Sequence, residues 1–175
     1  MGEITFELPD EYPKIILCTV VIAIYVLLMP YLVVIPKRNK LFSQRYMARF
    51  ANFHVAAFGE SADLRLPAGF PDDGNGIFAN SLPYKDWYEL NNTIRVFHNF
   101  VESLPQILGI ILVSGVFYPQ VTLIVAVINC LARPLYIYQY LNGGPNKRIL
   151  GAVGGSLPLY LLGVVTTATI IKGML

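Results

Sequence analysis

Ile15-Ile16-Leu17-Cys18-Thr19-Val20-Val21-Ile22-Ala23-Ile24-Tyr25-Val26-Leu27-Leu28-Met29-Pro30-Tyr31-Leu32-Val33-Val34-Ile35-Pro36 contains no charged side chain. A helix of this length crosses a hydrocarbon core about 30 Å thick. Its continuous apolarity, without the alternation of a barrel strand, argues for helix. The rest of the chain repeats the pattern. Between Arg95 and Lys147 only Glu102 and Arg133 are charged. That stretch is too long for one span, and Gly115-Val116-Phe117-Tyr118-Pro119-Gln120 divides it as a tight turn. A fourth apolar run, Ile149 to Ile171, follows the loop Asn142-Gly143-Gly144-Pro145-Asn146. Composition agrees: 55% of residues are hydrophobic and 14% charged, with mean hydropathy +0.54, against about 25% charged in a soluble domain. The expected fold is an all-α membrane protein, a four-transmembrane-helix bundle. It forms one domain over residues 1–175 with helices near 14–36, 91–115, 120–141 and 149–172.

Each expected span holds one proline: Pro30, Pro105, Pro134 and Pro158. Neighbouring helices in a lipid-embedded bundle can satisfy the freed carbonyl, so the kinks are tolerated. Gly151, Gly154, Gly155, Ser156 and Gly163 in the last span allow close helix approach or simple flexibility. Basic residues set the orientation. Lys37, Arg38, Lys40, Arg45 and Arg49 follow helix one, and Lys147 and Arg148 follow helix three. The N-terminal stretch is acidic (Glu3, Glu7, Asp10, Glu11), which argues against a cleaved signal peptide. The positive-inside rule puts both basic loops in the cytosol and both termini on the opposite side. Cys18 and Cys130 lie inside spans and imply neither a disulfide framework nor a metal site. The net charge of +2 is too small to suggest nucleic acid.

The connection over about 37–90 is long for a compact bundle. Ser43 to Phe58 spaces Tyr46, Phe50, Phe53 and Ala57 helically beside Arg45 and Arg49, as in an amphipathic helix lying in the headgroup layer. The later part, with Pro67, Gly69, Pro71, Asp72-Asp73-Gly74, Gly76 and Pro83, is turn-rich and is expected to be ordered against the bundle. His54, with no second ligand nearby, reads as a surface histidine rather than a metal site. Two constellations carry possible chemistry. Arg95, Asn99 and Glu102 share one face of helix two, and Arg133, Tyr136 and Tyr140 share one face of helix three. A buried ion is costly unless paired. The charges therefore either neutralise one another and lock the helices together, or line a polar pocket near the cytosolic ends. His98 neighbours the first face, and its ring reads as interface packing.

Two stretches then resemble a known family. Asn91-Asn92-Thr93-Ile94-Arg95-Val96-Phe97-His98-Asn99-Phe100-Val101-Glu102-Ser103-Leu104-Pro105 is similar to a helix-two signature of arginine, asparagine and glutamate with proline three residues later. Gly115-Val116-Phe117-Tyr118-Pro119, Ala132-Arg133-Pro134-Leu135-Tyr136-Ile137-Tyr138-Gln139-Tyr140 and Gly144-Pro145-Asn146-Lys147-Arg148-Ile149-Leu150-Gly151 continue it. Together they resemble the membrane-associated proteins in eicosanoid and glutathione metabolism (MAPEG), nearest the microsomal glutathione S-transferase type 3 branch.

The resemblance implies a homotrimer of four-helix protomers with glutathione as co-substrate and no metal. Glutathione binds on the cytosolic side between subunits, and the lipophilic substrate arrives from the membrane lipids. It implies that Arg95 holds a carboxylate, Glu102 accepts the ammonium, and Asn99, Tyr136 and Tyr140 orient the peptide. Arg38, Arg133 and Lys147 join this binding set. Arg148 falls where the family's thiolate-stabilising arginine is expected, with one extra loop residue beside Lys147. The departures are Phe97, where a polar glutamine or histidine is usual, and Ser103, where leukotriene-forming members carry tyrosine. The implied function is a glutathione-dependent transferase or peroxidase in the endoplasmic reticulum membrane, or alternatively a mitochondrial one. The alternative function is a non-catalytic lipid-binding scaffold or an accessory subunit of a larger membrane complex. Single cysteines introduced at Asn142 and at the chain end should label from opposite faces of the membrane. Labelling of both from one face would contradict the orientation.

Overall fold

The structure is a computed structural model that describes residues 7–59 and 67–174. Glu3 of the acidic start, and residues 60–66 of the long connection, lie outside them. The described secondary structure is entirely helical. The elements are α1 (Tyr12–Met29), α2 (Ile35–Leu41), α3 (Gln44–Met47), α4 (Ala51–Phe58), α5 (Ile77–Asn80), α6 (Tyr84–Phe117), α7 (Pro119–Gly143) and α8 (Ile149–Met174). Four rods are long and apolar enough to cross a membrane: Tyr12–Leu41, Tyr84–Phe117, Pro119–Gly143 and Pro145–Met174. Large apolar side chains such as Leu27, Leu32, Leu131 and Val164 point outward, each more than two-thirds exposed. In water that surface would be untenable; in lipid it is the solvated one.

The prolines leave distinct marks. Pro30 opens a π-helical stretch, Pro30–Val34, that joins α1 to α2, and Ile35 N–H donates to Pro30 O. The wider turn accommodates the ring, which would otherwise strike the carbonyl one turn back. Pro105, Pro134 and Pro158 are absorbed inside α6, α7 and α8. Gly144, at φ +75°, ends α7 and donates its N–H to Tyr140 O at 2.9 Å, a left-handed conformation that favours glycine.

Helix α6 starts at Tyr84, seven residues before the start expected from hydropathy. Its 34 residues span about 51 Å at 1.5 Å per residue, whereas about 20 residues cross the hydrocarbon. The excess is amphipathic: Trp87, Leu90, Ile94 and Phe97 recur on one face and pack into an apolar cluster, with Leu90 and Ile94 buried.

The chain forms two compact units, Met1–Val26 with Phe100–Leu175, and Leu27–Asn99. In the first, Ile15, Ile22, Ile107, Ile111, Val125 and Leu159 form the apolar core. Polar cross-links supplement it. Tyr12 Oη donates to Leu112 O at 3.0 Å, Thr166 Oγ1 to Ser114 Oγ at 2.8 Å, and Asn129 Nδ2 to Gly155 O at 2.9 Å. Such bonds average about 0.6 kcal/mol in lipid, so they fix register more than they supply stability.

In the second unit, Met47, Phe50, Phe78 and Leu90 share a core, with Phe50 edge-on to Phe78 at 4.9 Å. The expected amphipathic stretch is thus broken into α3, a 3-10 turn (Ala48–Phe50) and α4. Part of its apolar face is buried in this core, while Phe53 and Phe58 stay exposed. Tyr46 donates its hydroxyl to Phe78 O at 2.7 Å, and burial pushes its phenol pKa up.

Glycine spacing in α8 is used selectively. A Cβ at Gly151 would lie 2.6 Å from the Tyr136 Cα, whereas one at Gly154 would meet nothing within 4 Å. Gly151→Ala should therefore destabilise by about 1–3 kcal/mol, the usual cost of overpacking. Gly154→Ala should be neutral or slightly stabilising, since alanine is the better helix former. Thermal unfolding in detergent checks both, and equal melting temperatures for the two variants would contradict the packing.

Candidate functional site

Arg95, Asn99 and Glu102 all stand on α6, within an arc of roughly 60° at 100° per residue. Arg95 and Glu102 are exposed and Asn99 is half-buried. Two ionisable groups thus emerge from a rod whose other outward residues are largely apolar. Bare lipid is a poor medium for either.

The first unit gathers a second constellation at the cytosol-assigned end of α7. Tyr136 and Tyr140, one turn apart, are buried with ring centroids 5.7 Å apart. Arg148 ends the 3-10 turn Pro145–Arg148 that leads into α8. Its Nη1 makes a long hydrogen bond of 3.5 Å to Tyr136 Oη, and its guanidinium lies 5.2 Å from the Tyr140 ring centroid. Arg133 places its guanidinium 4.5 Å from the Phe100 ring centroid and donates from Nε to Asn129 Oδ1 at 3.3 Å. Asn129 is fully buried and donates in turn to Gly155 O, so Arg133 is oriented by a side chain that is itself tied to α8. Arg133, Tyr136, Tyr140 and Arg148 are therefore neighbours in one cluster. Lys147 is exposed, and its backbone N–H donates to Gly144 O at 3.2 Å.

Arg38 is placed otherwise. Only 1% exposed, it donates from Nε to Ala68 O at 2.9 Å and from Nη2 to Asp72 O. Its guanidinium stacks 4.1 Å from the Phe70 ring centroid. These contacts spend the fork of donors on the connection between α2 and α6. Asp72 continues the same knot. Its Oδ1 accepts from Gly74 N and Gly76 N, each at 2.9 Å, and its Oδ2 from Ala79 N at 2.7 Å. Gly74, at φ +93°, takes a turn that a side chain would strain.

The sequence reading did not single out what this knot presents. Asp73 Oδ2 lies 3.2 Å from His98 Nε2, and Asp73 Oδ1 lies 3.9 Å from Arg38 Nη1. His98, read as interface packing, thus faces the connection within hydrogen-bonding distance of Asp73. Asn91 donates to Gly74 O at 2.8 Å. A cleft of about 190 Å³ opens here, lined by Asp73, Asn75, Gly76, Asn91, Ile94, Arg95 and His98. The available signals were Asp72-Asp73-Gly74 in the turn-rich stretch and His98 three residues from Arg95. Among the described residues no group of three or more His, Cys, Asp or Glu could hold a metal ion. Cys130 Sγ meets Cys18 O at 3.6 Å, and both thiols are free.

The profile of the MAPEG family aligns with residues 15–168 of the chain. The match includes every residue of both constellations and the whole connection. No solved structure matches the chain.

The Asp72 knot makes a testable demand. Asp72→Ala removes the acceptor for three backbone N–H groups, and orphaned buried donors cost about 1–3 kcal/mol. Amide hydrogen exchange at Gly74, Gly76 and Ala79 should accelerate at least about tenfold. Unchanged protection would show that the knot does not order the connection.

Proposed function

Because the chain belongs to the MAPEG family, we propose that it is a glutathione-dependent transferase or peroxidase acting on lipophilic electrophiles or lipid hydroperoxides. The family is membrane-associated, works in glutathione-related and eicosanoid metabolism, and includes glutathione transferases. The four apolar rods make this chain an integral, multi-pass member. The motifs from Asn91 to Pro105 and from Gly144 to Gly151 support kinship with the microsomal glutathione S-transferase type 3 branch.

The observation that carries the reading is Arg148, a cation held against Tyr136 Oη and the Tyr140 ring. A fixed cation beside a thiol favours the thiolate and lowers the thiol pKa. The thiolate then attacks an electrophile, forming a carbon–sulfur bond as the leaving group departs with its electron pair. In the peroxidase reaction two glutathione molecules become one disulfide, while the hydroperoxide becomes an alcohol and water. Glutathione carries two carboxylates and one ammonium, so a site needs fixed cations, an anion and neutral donors. Arg95 supplies a bidentate carboxylate partner. Glu102, Asn99, Arg133, Tyr136 and Tyr140 complete the lining, with Lys147 at the rim. Arg38 serves by holding the connection in place. Exposure of Arg95 and Glu102 on a lipid-crossing rod supports burial against further copies of the chain, in a homotrimer with glutathione between subunits.

A second reading, a non-catalytic lipid-binding scaffold or accessory subunit of a larger membrane complex, is favoured by Phe97, apolar where the family is usually polar.

Turnover and binding separate the two readings. Arg148→Ala should lower kcat about tenfold to a thousandfold, as for loss of one preorganised electrostatic contact, with glutathione affinity little changed. Arg95→Ala should weaken binding and leave kcat at saturating thiol closer to normal. Lys147→Ala is the control: if it abolishes activity while Arg148→Ala is silent, the cation's register is off by one. The unaltered trimer should turn over; absence of turnover with any lipophilic electrophile or hydroperoxide leaves the scaffold reading.

A further inference from the structure

We propose that α4 docks onto the surface of an anionic bilayer. Phe53 and Phe58 lie in the border of the acyl chains, while Arg45 and Arg49 take lipid phosphates. This docking is independent of glutathione binding.

Packing within the protein does not account for α4. The helix is Ala51-Asn52-Phe53-His54-Val55-Ala56-Ala57-Phe58, and none of its residues is buried among the described ones. An isolated helix shorter than about 12–15 residues is marginal in water, so α4 needs a cover for its apolar side. Phe53, Ala56 and Ala57 are exposed and fall within an arc of about 100°. Phe53 and Phe58 are 66% and 70% exposed, matching Leu27 and Leu32 at 68% and 69% on the rod Tyr12–Leu41. On the rod, that surface is the one lipid covers.

Two further observations fit lipid as the cover. The first is continuity. Val34 of the rod shares a core with Phe42, Met47 and Phe50, all within the unit Leu27–Asn99. Phe50 is the residue before α4, so the helix departs from the end of a membrane-crossing rod. The basic residues assign that end to the cytosol, whose leaflet is the anionic one.

The second is charge. Between Glu11 and Glu60 there is no acidic residue, and α4 itself carries no Lys or Arg. Arg45 and Arg49, exposed and four residues apart, precede it directly. The Arg49 guanidinium lies 5.2 Å from the Tyr46 ring centroid, and Tyr46 is itself tied to Phe78 O. A cation held over a ring keeps its N–H donors for phosphate oxygens. An apolar helix behind a pair of arginines selects anionic over zwitterionic headgroups.

Amide hydrogen exchange of α4 in the full-length protein tests the docking. Nanodiscs of phosphatidylcholine alone are compared with discs that also contain phosphatidylserine. Protection of the α4 amides should be about twenty-fivefold higher in the anionic discs, at about fivefold for each arginine near the surface. Arg45→Gln with Arg49→Gln should remove most of that gain. Phe53→Ser with Phe58→Ser should lower protection in both kinds of disc. All four side chains are exposed, so the variants should fold. The Gly76 and Ala79 amides, which donate to Asp72, report whether they do. Equal protection in the two discs, or a gain that survives loss of both arginines, would overturn the proposal. So would unchanged exchange in the doubly substituted phenylalanine variant. Protection that rises with protein concentration in lipid-free detergent would assign the face to a second copy of the chain, and would overturn it too.

Discussion

A charge on a lipid-crossing helix must be paired, buried against protein or turned toward water, because an unpaired ion in hydrocarbon costs several kcal/mol. Most features of this chain follow from that one constraint. Its charged residues number only 24 of 175, 13 basic and 11 acidic. They cluster at rod ends and in the connection between α2 and α6. Arg95, Glu102 and Arg133 break the pattern, and around them the structure departs from a plain apolar bundle. Arg133 is shielded by Phe100 and oriented by Asn129. Arg95 opens into a cleft. Glu102 stays exposed, and its exposure on a rod long and apolar enough to cross a membrane is the physical reason for proposing further copies of the chain around it.

The same constraint governs the connection. An arginine so near the end of a membrane-crossing rod could have pointed to headgroups. Arg38 instead turns inward, gives its donors to Ala68 and Asp72, and lies over the Phe70 and Phe42 rings. Asp72 then organises the next seven residues by accepting three backbone N–H groups. A turn-rich stretch with a small apolar core thereby acquires a defined surface, and that surface is what Asp73 and His98 present.

Much of this was legible in the residues. Long charge-free runs fix the four rods, since only helices satisfy their own backbone in lipid. The Arg95–Pro105 motif led to the family that the profile match then showed. Other features were hidden because hydropathy measures affinity for lipid and nothing else. The early start of α6 at Tyr84 comes from the packing of Trp87, Leu90 and Ile94 on protein. The burial of Arg38 and the pairing of His98 with Asp73 join residues 25–34 positions apart in the chain. No local pattern encodes such long-range partners. The π-helical turn at Pro30 is likewise a choice among several ways of absorbing a proline, and sequence alone did not specify which.

The proposed function turns on Arg148 ionising the thiol of bound glutathione. Ultraviolet difference spectroscopy reads thiolate directly, without a second substrate or turnover. On adding glutathione to the purified protein at neutral pH, thiolate absorbance should appear and saturate with binding. The same titration of Arg148→Ala should show binding with little thiolate. Saturable binding with no thiolate in the unaltered protein, or equal thiolate in both, would contradict the account.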